Sequence, residues 1–336
     1  MAESKKELPT TTEMDLVEDA TKARELFKVP GQIPDYSLAA RMRMSPIHHH
    51  AYRDSDSLRG RSVGMEALLQ RKIPIVGIPG GFHVVIDYMG TDMSIIEAAR
   101  ASFGKGHTAR IRSRAMNMRL AKYLLDHGHG TPLEVGSVRL VTRVPMAVFG
   151  HIVRYRAGSS LNVTSTRYTE HDVADDTAFY VPEAEQLRAQ SDTAKQCSGD
   201  LLPPELAGEL HQKMIECLGH IAETYRYLLD HGLSREQARF LLPDARMVTF
   251  SWTVNLRAML HICRQRLDGG AMPETQAMAA GLFYIIRVWL PDTYQALMAT
   301  AQFIPSLDRE ELKRMKRLHT IQVGIPGPVG GIDGEE

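Results

Sequence analysis

The chain has 336 residues, enough for one large domain or two ordinary ones with a substantial core. Hydrophobic residues make up 43% and charged ones 24%, an ordinary globular composition. Lysine plus arginine equals aspartate plus glutamate at 40 each, which argues against a general nucleic-acid binder and makes local arginine clusters read as specific anion sites.

No run approaches the ~18 apolar residues of a membrane span. The opening "MAESKKELPTTTEMDLVED" has no apolar run behind its charges, so no secretory signal is expected and the protein reads as cytoplasmic. Cys197, Cys217 and Cys263 have neither paired nor metal-like spacing and read as reduced, buried thiols.

Residues 1 to about 45 are polar, with one helical pattern around Met14–Phe27, and Pro30, Pro34 and Pro46 then punctuate the chain. The triplet His48–His50 is not read as a metal site, because adjacent side chains diverge on any regular element. "IPIVGIPGGFHVVIDYMG" (Ile73–Gly90) reads as strand, glycine turn, strand; it lacks the spacing of a phosphate loop. "DMSIIEAARASF" has helical periodicity, with Ser94 a candidate cap. "MNMRLAKYLLDHGHGTP" is a second helix that should stop at Gly128, and its methionines Met116 and Met118 read as core. "EVGSVRLVTRVP" alternates as a strand, and "MAVFGHIVRYR" reads as a helix ended by Arg154 and Arg156, whose charge suits a helix C-terminus.

The second half reads as mostly helical. A long helix runs from Pro204 to Gly232, a short one follows Ser234, and "FSWTVNLRAMLHICRQRLDGG" and "PETQAMAAGLFYIIRVWLPDTYQALM" are two more. No internal repeat stands out. The glycine- and proline-rich "VGIPGPVGGIDGEE" reads as a flexible tail. The fold class expected is α+β, helix-rich with an antiparallel sheet.

The densest chemistry lies in "RYRAGSSLNVTSTRYTE" (Arg154–Glu170), where three arginines and several hydroxyl residues precede a single acid. A phosphate monoester needs two or three charge-assisted donors in fixed geometry, and arginine offers a planar fork. Ser165, Thr166 and Arg167 supply two hydroxyls, a guanidinium and backbone N–H groups in succession, a credible phosphate clamp. On "WTVNLRAMLHICRQRLD", Arg257, His261, Arg264 and Asp268 share one helical face, which alone would read as a solvated surface.

The pattern Arg154-Tyr155-Arg156, then Ser165-Thr166-Arg167-Tyr168, resembles the signature of the flavin-dependent thymidylate synthases. "IEAARASF", "YLLDHGHGTPLE", "REQARFLLP" and "WTVNLRAMLHICRQRLD" resemble further family blocks in the right order, from about residue 83 to 300. The resemblance implies the family fold over residues 83–320, behind an N-terminal extension (1–82) and before a tail (321–336). It implies reductive C5 methylation of a uridylate with bound FAD, with NADPH and methylenetetrahydrofolate as co-substrates, in a homotetramer with shared active sites. Carried across by position, His151, Arg154, Ser165, Thr166, Arg167 and Arg239 would hold the nucleotide. Arg266 would face the uracil edge and act catalytically. Ser102, His129, Thr131, Glu134, Tyr155, Arg156, Asn162, Asn255, Arg257 and His261 would line the cofactor. No cysteine lies in the nucleotide motif, so a nucleophilic thiol is not expected.

Several positions depart from the family pattern. Tyr155 replaces a histidine, Val163 a frequent glutamate and His261 a common asparagine, while Gly270 and Pro273 occupy histidine and aromatic positions. The changes cluster around base, ribose and flavin and leave the clamp intact. That pattern points to altered substrate tolerance, as in the UMP C5-methylase branch of polyoxin-type nucleoside antibiotic biosynthesis. Two alternatives stand beside it: a dUMP-specific thymidylate synthase, and a catalytically silent nucleotide or flavin binder.

Overall fold

A computed structural model describes residues 57–58, 61–102, 104 and 112–300. The chain divides into two units, 1–53 and 54–336, and all described residues belong to the second. The helix expected at Met14–Phe27, the histidine triplet and the tail fall outside the described residues.

A short antiparallel pair, β1 (Ser57–Leu58) and β2 (Arg61–Ser62), leads into α1 (Val63–Leu68), capped by the Ser62 hydroxyl. Strands β3 (Lys72–Pro74) and β4 (Phe82–Met89) then form the expected hairpin through the Gly80–Gly81 turn. Met65 and Leu68 of α1 are fully buried in the main core, so residues upstream of 83 pack as part of this unit. Helix α2 (Asp92–Ala101) is capped by Thr91, not Ser94. Ser94 occupies the third helical position and its Oγ accepts from the Thr91 amide at 3.1 Å, which completes a capping box.

Helix α3 (Arg114–Asp126) and a 3-10 turn (Thr131–Val135) lead to β5 (Ser137–Pro145) and α4 (Met146–Ile152). Met116 is exposed and Met118 half-buried, contrary to the core reading; α3 instead buries Asn117, Ala121 and Leu124. Helix α4 stops at Ile152, so Arg154 and Arg156 lie beyond it, Arg154 in the turn that follows. The next stretch is β6 (Ser159–Val163), which sequence periodicity did not reveal, followed by the small hairpin β7 (Arg188–Gln190) and β8 (Ser198–Leu201). Helices α5 (Pro204–Asp230) and α6 (Arg235–Ala238) match expectation.

Two helix assignments need correction. "MVTFSWTVN" is strand β9 (Met247–Asn255), and only then does α7 (Leu256–Arg266) begin. Phe250, Trp252 and Val254 alternate inward with period two, which overrides the helical pattern extended from downstream. The last helical stretch divides at Pro291 into α8 (Pro273–Trp289) and α9 (Pro291–Met298), because proline cannot donate to the preceding turn.

The sheet runs β3-β4-β5-β9-β6, and every neighbouring pair is antiparallel. Helix α8 is apolar on almost all sides and buries Met278, Leu282, Ile285, Ile286 and Trp289 in the main core. With helices beside one five-stranded antiparallel sheet and two small antiparallel pairs among the described residues, the α+β reading holds.

A short sequence repeat ends two of the helices. The hexapeptide Tyr-Leu-Leu-Asp-His-Gly occurs at 123–128 and 227–232 and ends both α3 and α5. In each copy the histidine Nδ1 meets the tyrosine carbonyl, at 2.9 and 2.8 Å, and the two rings pack at 4.0 and 3.9 Å. Gly128 (φ 67°) and Gly232 (φ 84°) reverse the chain, as a left-handed helix stop requires. The repeat is a helix-termination device, not a duplicated domain.

Asp92 is half-buried and caps α9, accepting from Thr293 N (2.7 Å), Thr293 Oγ1 (2.6 Å) and Asp292 N (3.1 Å). Burial, helped by the Asp292 carboxylate, pushes its carboxyl up to about 6. Between the unfolded carboxylate range and that value the folded state binds the extra proton, so stability falls as pH rises through the window. Asp92→Asn is expected to flatten the fall between pH ~4 and 6, a difference of about 2–3 kcal/mol at most. Unfolding midpoints of both proteins across that range would check it.

Candidate active site

The clamp residues Ser165, Thr166 and Arg167 lie in the loop that leaves edge strand β6. The loop turns on itself through Tyr168 N to Ser165 O (3.0 Å) and Arg167 N to Ser165 Oγ (3.3 Å). Two ion pairs fasten it to α6: Arg167–Glu236 at 3.2 Å and Arg235–Glu170 at 3.0 Å. Arg239 caps that helix and is half-buried. Nearby Arg246 is held by the Leu242 and Pro243 carbonyls; burial first, then Arg239, depresses its pKa. The clamp therefore gathers cationic donors on a short helix end, with Glu236 and Glu170 as the acids that anchor it. Glu170 was visible as the only acid of the motif; Glu236 carried no sequence signal.

A second group surrounds the start of α7. Asn255 Oδ1 accepts from Ala258 N at 2.9 Å and so caps the helix. Arg257 Nη1 pairs with Glu134 Oε1 at 2.5 Å, and its guanidinium lies across Gly130, where any side chain would collide with it. Thr131 opens the same 3-10 turn as Glu134, and both are exposed. Gly158 is required here twice over: its φ is 67°, and a side chain would meet the Asn255 amide. Arg156 is exposed two residues before it, and Asn162 is exposed on β6 opposite Ser251. His129 stacks on Tyr123 at 5.8 Å in the exposed aromatic group that ends α3. Ser102 caps α2 at the margin of the described residues.

A third group lies at the far end of α7, roughly 14 Å along the axis from Arg257. Arg266 has a buried Nε with no hydrogen-bond partner. His151 Nδ1 meets Thr275 Oγ1 at 3.0 Å, and burial followed by the Arg266 charge lowers its pKa, which favours the neutral ring. Tyr155 packs edge-on against His261 at 5.7 Å. Arg154 is exposed in the turn after α4.

The expected residues therefore form separate groups within one chain. Six residues of extended backbone, about 20 Å, separate Ser159 near the α7 start from Ser165. No hydrogen bond or ion pair joins the clamp to Arg154, His151 or Arg266 among the described residues. Cys263 is not a nucleophile: it is fully buried, its Sγ points at Ala279 O, and burial pushes its thiol far up. Of the three cysteines only Cys263 is buried, since Cys197 is half-buried and Cys217 exposed.

The donor set at the start of α7 fits an anionic dinucleotide such as FAD. A helix N-terminus and guanidinium groups favour a diphosphate, and Gly130 and Gly158 let the Arg257 guanidinium and the Asn255 amide lie close against the backbone there. Among the described residues no group of three or more His, Cys, Asp or Glu is arranged to hold a metal, and no helix is long and apolar enough to cross a membrane.

The family profile described as thymidylate synthase complementing protein matches residues 84–292. The flavin-dependent thymidylate synthase of Wolbachia pipientis wMel is 33% identical over 238 residues, 71% of this chain and 81% of that protein. That of Rickettsia conorii is 32% identical over 258 residues, 73% of this chain and 85% of that protein. Among solved structures, the UMP/dUMP methylase PolB of Streptomyces cacaoi bound with 5-Br dUMP superposes with a TM-score of 0.58 at 27% identity, over 65% of this chain and 94% of that one.

Proposed function

Because this chain belongs to the flavin-dependent thymidylate synthase family, we propose that it methylates C5 of a uridylate, UMP or dUMP, with FAD bound and with methylenetetrahydrofolate and NADPH as co-substrates. The observation that carries the proposal is the clamp. Within the matched span, Ser165, Thr166 and Arg167 are fastened to the helix that ends in Arg239, a donor cluster suited to one nucleotide phosphate. The likeness to a UMP/dUMP methylase supports the same reading.

FAD, when bound, supplies the hydride relay. Asn255, Arg257, Glu134, Thr131 and Arg156 would hold it, with Ser102, Asn162 and His129 at its margins. Arg266 would direct its guanidinium at the uracil edge, where negative charge develops as C5 becomes nucleophilic; a fixed cation there lowers the barrier. His151, neutral and tied to Thr275, would offer its other ring nitrogen to the nucleotide together with Arg154.

The separation of the groups supports a homotetramer in which one subunit's clamp serves another's α7. Helix α5 supports it too: Leu206, Leu210 and Met214 repeat every fourth residue and are exposed, a stripe that water disfavours. We propose residues 83–320 as the catalytic domain, with 61–82 packed on it and 321–336 as a tail.

The test offers UMP and dUMP separately to the FAD-loaded protein with both co-substrates and identifies products by mass. Turnover of UMP comparable to dUMP supports a nucleoside-modifying role of the polyoxin type; turnover of dUMP alone assigns a thymidylate synthase. Binding without methylation of either overturns the proposal in favour of a silent binder. Glu236→Gln removes one of the two ion pairs that fasten the clamp and is expected to raise the nucleotide KM about two- to fourfold, the scale of an exposed pair, with kcat unchanged. Steady-state titration of the variant checks this.

A further inference from the structure

Tyr155 stands between the two arginines of the motif, at a position the family resemblance set beside the flavin. Its surroundings in the fold give it another task. Its hydroxyl donates to Gln265 Oε1 at 2.8 Å, and the Arg266 guanidinium carbon lies 5.4 Å from its ring centroid. Gln265 and Arg266 are consecutive, so one side chain engages the last two residues of α7 by two different interactions. His261, one turn earlier, meets the same ring edge-on at 5.7 Å.

Arg266 has few other restraints. Among the described residues no carboxylate pairs with it, and its buried Nε has no hydrogen-bond partner. A long side chain with several rotatable bonds loses its direction unless something holds it. An aromatic face within ~6 Å attracts a guanidinium without neutralising it, as a carboxylate would. A positioned charge also needs no reorganisation when the reacting ring becomes negative. Histidine here would set a titratable, sometimes cationic ring against Arg266, whereas burial keeps the tyrosine hydroxyl protonated.

We propose that Tyr155 is a positioning residue for Arg266, its ring and hydroxyl together fixing the guanidinium toward the uracil edge. The inference rests on the uridylate reading of Arg266 and adds a residue that acts through it.

The test compares Tyr155→Phe, Tyr155→Leu, Arg266→Ala and the double variant Tyr155→Leu/Arg266→Ala as FAD-loaded protein. Flavin content, kcat and KM for UMP and dUMP are measured for each. Tyr155→Phe keeps the ring and is expected to stay within about threefold of the parent. Tyr155→Leu is expected to lose about tenfold, mainly in kcat, with flavin content unchanged and with no further loss when Arg266 is already alanine. Should the leucine variant not fold, Tyr155→Met gives the same comparison with a longer apolar chain. Loss of flavin from Tyr155→Leu, or an equal loss in the Arg266→Ala background, overturns the proposal, because the ring would then act independently of Arg266. An active parent with unaffected Tyr155→Leu overturns it alone; a parent that methylates neither nucleotide overturns the uridylate reading and this inference with it.

Discussion

Arg266→Ala is expected to lower kcat by about 10²–10³-fold with FAD content unchanged, the loss typical of removing one preorganised group at a developing charge. Arg266 ends α7, where a cation favours the helix dipole only modestly, so the fold should tolerate its removal. Its guanidinium borders the Tyr155 ring and its Nε is sealed from solvent, conditions under which a charge acts more strongly than in water. The nucleotide phosphate would still find Ser165, Thr166, Arg167 and Arg239, so KM should change far less than kcat. Arg266→Lys keeps the charge without the planar fork and is expected to fall between. Single-turnover product formation separates the cases: a raised KM with unchanged kcat would reduce Arg266 to a binding group.

Trp252→Ala is expected to destabilise the protein by about 3–5 kcal/mol, the range for truncating a large buried aromatic side chain. Trp252 is fully buried at the middle of central strand β9, opposite Leu140 on β5 and Leu161 on β6. Its ring lies 5.9 Å from Phe250, and its indole N–H donates to Ser159 Oγ at 2.8 Å. That bond ties the edge strand to the sheet, and the clamp loop leaves from the end of the same strand. Alanine would open a cavity and also release Ser159, so weakened nucleotide binding should accompany the lower unfolding midpoint. Trp252→Phe refills most of the volume without the N–H and should cost much less. Denaturant unfolding monitored beside nucleotide titration would separate packing from tethering. Lost stability with unchanged nucleotide affinity would show that β6 holds its place without Trp252.

The long helix α5 and the hairpin at Gly80–Gly81 were legible in the sequence because each depends on local features: helical period, Pro204, Gly232, and a glycine turn between apolar runs. The central strand β9 was not. Its residues run without a break into a helix, and the turning point is a single capping residue, Asn255, whose side chain bonds forward to Ala258. Strand β6 was hidden inside the arginine motif, since an edge strand with exposed Ser160, Asn162 and Val163 shows little of the buried alternation that betrays a central one. The same limit governed the caps: Thr91 and Ser94 both suit a helix start, and only the folded backbone decides which one lies outside the first turn.

For the site, residue types in order pointed to the family and to the proposed clamp, because phosphate recognition depends on a contiguous run of donors and survives translation into any loop. Grouping depended on tertiary structure. Arg167 is 69 residues from Glu236, and Tyr155 is 110 from Gln265, yet each pair is in contact. Such contacts arise where two elements cross, and their side chains carry no period that could announce them. The sequence by itself thus determined which chemistry the chain carries, through local donors and caps. The tertiary structure alone decided which residues aim that chemistry, because direction is set by packing between distant segments.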